Sequence, residues 1–217
     1  MIKKALAILF AGVCVLTLGA CAKGGKAVVT PWKAGDPYPV VTITIGDNGA
    51  FKGGVITAEL YPDKAPNTVH NFISLINSGY YVGKVFHRAV PGFMIQGGSP
   101  GGDGTSAGFP YTINCETSGQ GFTQNDLKHT AGVLSMAHAG PNTGGAQFFI
   151  MDGSADWLDG LHTAFGKVVE GMDLVQRVVD LPKTGPQNDQ LITKPRITAI
   201  TVDTFGIEYP EPVTNAQ

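Results

Sequence analysis

The chain has 217 residues, 43% hydrophobic and 15% charged, with a formal charge of −2, which fits a globular protein with one sizeable domain. Thirty glycines and 14 prolines favour many turns and short strands over a helical bundle. No basic patch stands out, so nucleic acid is not an expected partner.

Residues 1–20 carry Lys3-Lys4, an apolar run from Ala5 to Leu18, and Gly19-Ala20 just before Cys21. This is the layout of an export signal, and the run is short for a membrane span. Leu18-Gly19-Ala20-Cys21 is similar to a bacterial lipobox, which makes Cys21 the expected lipidation site and mature N-terminus. An ordinary secretory cleavage nearby, with Cys21 incidental, is the other reading. Either way the protein is expected outside the cytoplasm, on the first reading as a lipoprotein held to a membrane by its anchor. Cleavage would remove Lys3 and Lys4 and no acid, leaving 13 basic against 17 acidic residues, a charge of −4. With Cys14 in the signal and Cys21 carrying lipid, only Cys115 remains, so no intramolecular disulfide can form. Cys115 reads as a semi-buried residue at a strand end rather than a redox site.

Residues 21–39 (AKGGKAVVTPWKAGDPYP after the cysteine) form an aperiodic linker, in which Trp32 could pack on the domain or meet a membrane surface. Val40–Ile45 alternates as a half-buried strand, and Gly54–Leu60 follows a turn at Asp47-Asn48-Gly49, giving a hairpin. Pro66 opens a helix whose stripe is Val69, Phe72, Ile73 and Ile76, closed by Gly79. His70 falls off that stripe and is expected in solvent. Further strands are expected at Val85–Arg88, Phe93–Gln96, Tyr111–Asn114, Gly132–Ala137, Ala146–Met151, Ala164–Val169 and Pro195–Thr204. A second helix starts at Gly171, with Met172, Val175, Val178 and Val179 as its stripe. Residues 208–217 form a polar tail without period, expected to be loose. About eight short strands and two helices, with no repeat and no second core, suit an antiparallel sheet closed into a barrel and capped by helices.

The stretch Val85–Gly98, VFHRAVPGFMIQGG, holds the most chemistry. Period 2 would put Phe86 and Arg88 on one face and Val85 and His87 on the other. A permanent cation and a neutral amide beside apolar residues suit a neutral, partly apolar ligand. The glycine-rich segment Gly97–Pro110 lacks both phosphate-loop spacings and reads as a mobile wall beside a groove. The five histidines show no metal-ligand spacing, no GxSxG elbow is present, and the acids are scattered rather than paired.

FHRAVPGFMIQGG, SMAHAGPNTGGAQFFI and WLDGLHTAFGKVVEGMDLV resemble, in this order, the signatures of the cyclophilins, the cyclosporin-binding peptidyl-prolyl cis-trans isomerases. APNTVHNF resembles the family's first helix. The resemblance spans Val40 to Phe205, so residues 40–207 are expected to be one cyclophilin-like domain. It implies a mainly β fold, a closed eight-stranded antiparallel β-barrel capped by two α-helices. It also implies a groove for proline-containing polypeptides, exported unfolded proteins among them, with no cofactor and no metal. Carried over by position, Arg88 matches the catalytic arginine. Phe93, Met94, Phe149, Leu158 and His162 match the pocket for the proline ring, and Gln96 and Gln147 its polar wall. Ala137, His138 and Ala139 match the segment that holds the peptide backbone, and Trp157 the position associated with tight cyclosporin binding. His138 departs from the usual asparagine, and Thr105-Ser106-Ala107-Gly108 departs from the usual threonine-glycine-glycine run. The expected protein is a monomeric isomerase, inhibited by cyclosporin. A proline-peptide binding module or holding chaperone with incidental catalysis is the alternative.

Overall fold

The computed structural model describes residues 30–185, 187 and 189–216. The expected signal peptide, Cys21 and the linker as far as residue 29 lie outside the described residues.

The strands are β1 (Val40–Ile45), β2 (Gly54–Leu60), β3 (Phe86–Val90), β4 (Met94–Gly97), β5 (Tyr111–Thr112), β6 (Val133–Met136), β7 (Phe148–Met151), β8 (Ala164–Glu170), β9 (Lys183–Thr184), β10 (Gln190–Leu191), β11 (Ile197–Asp203) and β12 (Asn215–Ala216). Helix α1 is Pro66–Asn77 and α2 is Met172–Val179. Ten strands form one antiparallel sheet in the order β11-β1-β2-β8-β6-β7-β4-β3-β10-β9. β3 and β11 also approach each other. Val85 bridges Arg196, the Phe86 amide donates to Pro195 O at 2.9 Å, and the Ile197 amide donates to Lys84 O at 2.8 Å.

Alternation along the strands sorts side chains onto two faces. On β1, Val41, Ile43 and Ile45 are buried while Val40, Thr42 and Thr44 are half-buried. The inner face continues through Ile56, Leu60, Ile95, Leu134, Phe148, Ile150 and Phe165 into one core with the helices. Phe72 of α1 sits at its centre, 5.2 Å from Phe148, 5.1 Å from Phe165 and 5.0 Å from Tyr81, ring centre to ring centre. Burying an aromatic of this kind contributes about 1.5–3 kcal/mol. The outer face carries a second, separate apolar cluster of Met94, Val133, Phe149, Met151, Ala155, Leu158 and Ala164. Neighbouring residues of one strand thus serve opposite faces: Phe148 fills the core and Phe149 the outer cluster.

β3 departs from strict alternation. Phe86 pairs with Gly97 and Arg88 with Gln96, so the register slips by one residue at His87. This β-bulge turns Phe86 inward and Arg88 outward, although they are two positions apart. The expectation that they share a face is corrected by that one extra residue.

The helix ends are fastened from afar. α1 has Pro66 at its start and no side-chain cap from adjacent residues. Instead Glu116 accepts the amides of Asn67 and Thr68, each at 2.8 Å, and the Thr68 hydroxyl at 2.8 Å. A carboxylate there satisfies the orphan amides and complements the helix dipole. Burial pushes the Glu116 carboxyl up to about 7 against the pull of those hydrogen bonds.

The C-terminal residues, expected to be loose, are docked. Val213 exchanges two hydrogen bonds with the Asn67 amide side chain, at 2.9 and 2.8 Å. The Ser74 hydroxyl donates to Glu211 at 2.8 Å, and β12 pairs with β5. Tyr209 covers His70, ring centres 5.6 Å apart. His70 is therefore 1% exposed, not solvated, because the tail buries a helix face that the core does not. Burial lowers its imidazole to about 4. On the N-terminal side Trp32 packs on the domain, stacked on Tyr38 at 5.2 Å, and Tyr38 meets Tyr61 edge-on at 4.9 Å. Cys115 is half-buried, its sulfur accepting the Asn142 amide at 3.2 Å, and burial raises its thiol.

Candidate active site

A single cross-strand row lays out the site. Arg88 pairs with Gln96, Gln96 with Phe149, and Phe149 with Ser135. Directly opposed residues of antiparallel strands share a face, so the cation, the amide and the aromatic ring stand side by side on the outer surface. Two residues along β4 and β7, Met94 and Met151 pair on the same face. With Leu158 from the turn Asp156–Leu158, Met94 and Phe149 form a closed apolar floor.

Polar groups rim that floor. The Arg88 guanidinium donates from Nη1 to Gln96 Oε1 at 3.4 Å. Gln96 Nε2 donates to Gln147 Oε1 at 3.2 Å, and Gln147 Nε2 donates to Gly104 O at 3.0 Å and Ser106 Oγ at 3.1 Å. The glycine-rich segment is therefore tied to the rim at those two acceptors. His87, buried beneath Gly104, is pushed down to about 4, chiefly by burial and then by Lys194 and Arg88. It is neutral at physiological pH and supports the arginine's strand without adding charge.

The opposite rim is aromatic. Phe93 lies 5.8 Å from Trp157, which is 65% exposed. His162 stands edge-on to Phe149 at 5.6 Å and donates from Nδ1 to Met136 O at 3.0 Å. Burial pushes its imidazole down to about 4. His138 stacks on His162 at 3.9 Å with 12° between the planes, and donates from Nε2 to Leu161 O at 3.0 Å. Ala137 packs on the apolar cluster, its amide donating to Gln147 O at 3.0 Å, and the Ala139 amide donates to Thr143 Oγ1 at 3.0 Å. Of the residues expected in the groove, Arg88, Gln96 and Gln147 are linked by hydrogen bonds. Met94, Phe149 and Leu158 share the outer apolar cluster, with Phe93 and Ala137 packed on it. Trp157, His162 and His138 join through ring contacts, whereas Ala139 contacts Thr143 of its own loop.

Two features carried no signal in the sequence. Asp189 accepts Arg88 Nε–H at 2.7 Å, yet it lies in an aperiodic Pro-Gly-Asn stretch. Beside Phe149, Ser135 Oγ is 2.9 Å from His129 Nε2, and His129 Nδ1 is 3.0 Å from Asp159. The order mimics a hydrolase triad. Ser135 is wholly buried and His129 is 1% exposed, so no substrate carbonyl reaches the hydroxyl, and the chain of hydrogen bonds props the floor instead. Burial lowers the His129 imidazole. Burial also opposes ionisation of Asp159, but hydrogen bonds from His129 and Lys128 prevail and hold its carboxyl below the usual range.

Among the described residues the site joins a buried apolar cluster, a pair of neutral amides and the Arg88 guanidinium, with no exposed nucleophile aligned to a base. The comparisons give this arrangement its class. The sequence model described as cyclophilin type peptidyl-prolyl cis-trans isomerase/CLD matches residues 40–202, and the chain belongs to this family. Among its relatives, peptidyl-prolyl cis-trans isomerase B of Bacillus subtilis (strain 168) is 52% identical over 126 residues, 58% of this chain and 84% of that protein. The peptidyl-prolyl cis-trans isomerase of Synechococcus elongatus is 50% identical over 121 residues, 56% and 78% of the two chains. The crystal structure of a Cryptosporidium parvum cyclophilin type isomerase is similar with a TM-score of 0.65 and 31% identity, covering 77% of this chain and 98% of that one. The same protein in the presence of the dipeptide ala-pro gives a TM-score of 0.64 at 31% identity, covering 76% and 99%. This chain is a peptidyl-prolyl cis-trans isomerase of mainly β fold, with two α-helices among the described residues.

Proposed function

We propose that Arg88 is the catalytic donor and that the enzyme acts on X–Pro bonds of exported proteins. The observation that carries this reading is the row placing Arg88 beside Gln96 and Phe149 at the edge of the outer apolar cluster. Rotation of the amide faces a barrier of ~18–20 kcal/mol because resonance must be lost. In the twisted state the prolyl nitrogen becomes pyramidal and basic. A guanidinium, charged at any working pH, can then donate to it. A hydrogen bond made only in that state lowers the barrier, each ~1.4 kcal/mol being worth about tenfold in rate. Of the three guanidinium nitrogens, Nη2 makes no hydrogen bond among the described residues, and it is free for this role. The proline ring would sit on Met94, Phe149 and Leu158, with Phe93 and His162 at its sides and Ala137–Ala139 along the peptide. The dipeptide in the Cryptosporidium structure supports a proline-containing ligand.

In this reading the eight strands from β11 to β3 close as a barrel and the two-residue strands β10 and β9 lie outside it, a closure supported by the Val85–Arg196 bridge beside β3 and β11. The protein works as a monomeric lipoprotein outside the cytoplasm, anchored through Cys21, supported by the Leu18-Gly19-Ala20-Cys21 sequence. Chains that fold after translocation meet slow prolyl isomerisation there, taking tens to hundreds of seconds uncatalysed. Cyclosporin would bind across the same groove, with the exposed Trp157 indole donating to it.

The test is isomerisation of a proline tetrapeptide by the wild-type chain and Arg88→Ala. A loss of about 100-fold or more in the variant is expected from removing a donor that acts in the transition state. Equal rates would mean that the arginine does not act as proposed. Retained peptide binding alongside wild-type rescue of a deletion strain by Arg88→Ala would favour a binding module. Cyclosporin is expected to inhibit at nanomolar to low micromolar concentration, and Trp157→Ala to weaken it about tenfold or more. No inhibition of the wild type at tens of micromolar would rule the ligand out.

A further inference from the structure

We propose that Asp189 is the positioning residue of the isomerase site, resting on the reading of Arg88 as the donor. Its carboxylate Oδ2 accepts Arg88 Nε–H at 2.7 Å, the distance of a charge-assisted hydrogen bond. The contact joins residues 101 positions apart, and the backbone around it is fixed on the same strand. Gln190 of β10 pairs with Arg88 itself, and the Ala89 amide donates to Asp189 O at 2.9 Å. β10 in turn pairs with β9, so a short hairpin added to the sheet edge delivers one carboxylate to one guanidinium. Asp189 is 9% exposed, which removes much of the water competition that weakens surface ion pairs.

The geometry points to placement rather than stability as the use of this pair. A free arginine side chain samples many rotamers, and ordering it costs conformational entropy. Here Nε is held by Asp189 and Nη1 by Gln96, which fixes the plane of the group. Nη2, the remaining nitrogen, is then presented with the ordering already done before substrate arrives, as preorganised catalysis requires. The carboxylate also offsets part of the arginine's charge, so its presence is a cost to simple attraction of peptide carbonyls. A residue that weakens ground-state attraction while fixing geometry should act on the rate more than on binding.

The experiment compares the purified full chain with Asp189→Ala, Asp189→Asn, Arg88→Ala and the Arg88→Ala/Asp189→Ala double variant. The readouts are kcat/KM on a proline tetrapeptide, Kd for the same trans peptide by NMR titration, and Tm. Asp189→Ala is expected to lose about 10- to 100-fold in kcat/KM, the scale of a misplaced catalytic group, with Kd within about twofold. Asp189→Asn keeps an acceptor oxygen for Nε–H and should recover most of the activity. In the Arg88→Ala background, removing Asp189 should change nothing further, since the two act as a unit. Wild-type turnover in Asp189→Ala, an equal loss in the Arg88→Ala background, or a loss matched by Kd or Tm would each overturn the proposal. If Arg88→Ala collapses while Asp189→Ala does not, only the positioning role fails. If Arg88→Ala keeps wild-type turnover, both readings fail.

Discussion

His138 shows how a single side chain can reshape a groove without touching its chemistry. Its imidazole covers one face of His162 at 3.9 Å and is tied to Leu161 O, and His162 in turn meets Phe149 edge-on. The stack thickens the rim where the residue before or after proline would lie. An asparagine there would be shorter and could not stack, leaving one face of His162 to solvent or substrate. His138→Asn is therefore expected to change the ranking of a series of Ala-Xaa-Pro-Phe peptides, with ratios of kcat/KM shifting about threefold to tenfold, the range for small changes in pocket shape. The rate on the best substrate should fall less than tenfold, because Arg88 and the apolar floor are untouched. A uniform fall across all peptides would show that the imidazole supports catalysis rather than selection.

At the scale of elements, the outer pieces of the chain hold the inner ones. The tail crosses α1 through Asn67, His70 and Ser74 and then pairs with β5. Truncation after Gly206 would strip Tyr209 from His70 and remove the two hydrogen bonds at Asn67. The expected outcome is a loss of roughly 1–3 kcal/mol in urea unfolding, with faster hydrogen exchange in the first turn of α1. Unchanged stability and exchange would mean the tail is only laid on the surface. These attachments also explain where sequence reading ends. β1, β2, both helices and the opposed faces of β7 were legible because burial follows local periods of 2 and 3.6. That Met94, Phe149 and Leu158 cluster on the outer face was not legible from spacing, which by default assigns such residues to the core; their grouping and their expected roles came from the resemblance. The Glu116 cap of α1, the cover over His70 and the Asp189 contact each depend on a partner distant in the chain, and the bulge at His87 on one extra residue in the β3–β4 register. A polar residue in an aperiodic loop gives no hint of the group it will meet, so these four could not be read from spacing.

Over the whole molecule, buried neutral histidines make stability depend on pH. His70, His87 and His162 are each lowered from the ordinary value near 6.5 to about 4, mainly by burial. A group that binds protons more weakly when folded favours the unfolded state as acid is added. Their contribution is therefore complete above pH 6.5 and is lost as pH falls from there towards 4. Glu116 works in the opposite sense: raised from 4.5 to about 7, it costs stability as pH rises through that interval. These three histidines, with His129 lowered in the same direction, against one carboxyl in nearly the same window leave a net loss on acidification. His70 alone, 1% exposed, accounts for up to roughly 3 kcal/mol. Urea midpoints measured from pH 7.5 to 4.5 should fall steadily. His70→Gln should start less stable at neutral pH but show a shallower slope, because one histidine that takes up a proton mainly on unfolding is gone. A wild-type midpoint that stays level or rises on acidification would mean that these imidazoles accept protons within the fold. The core would then have to admit charge at His70, His87 or His162, and the tail across α1 would be the first place to look for opening.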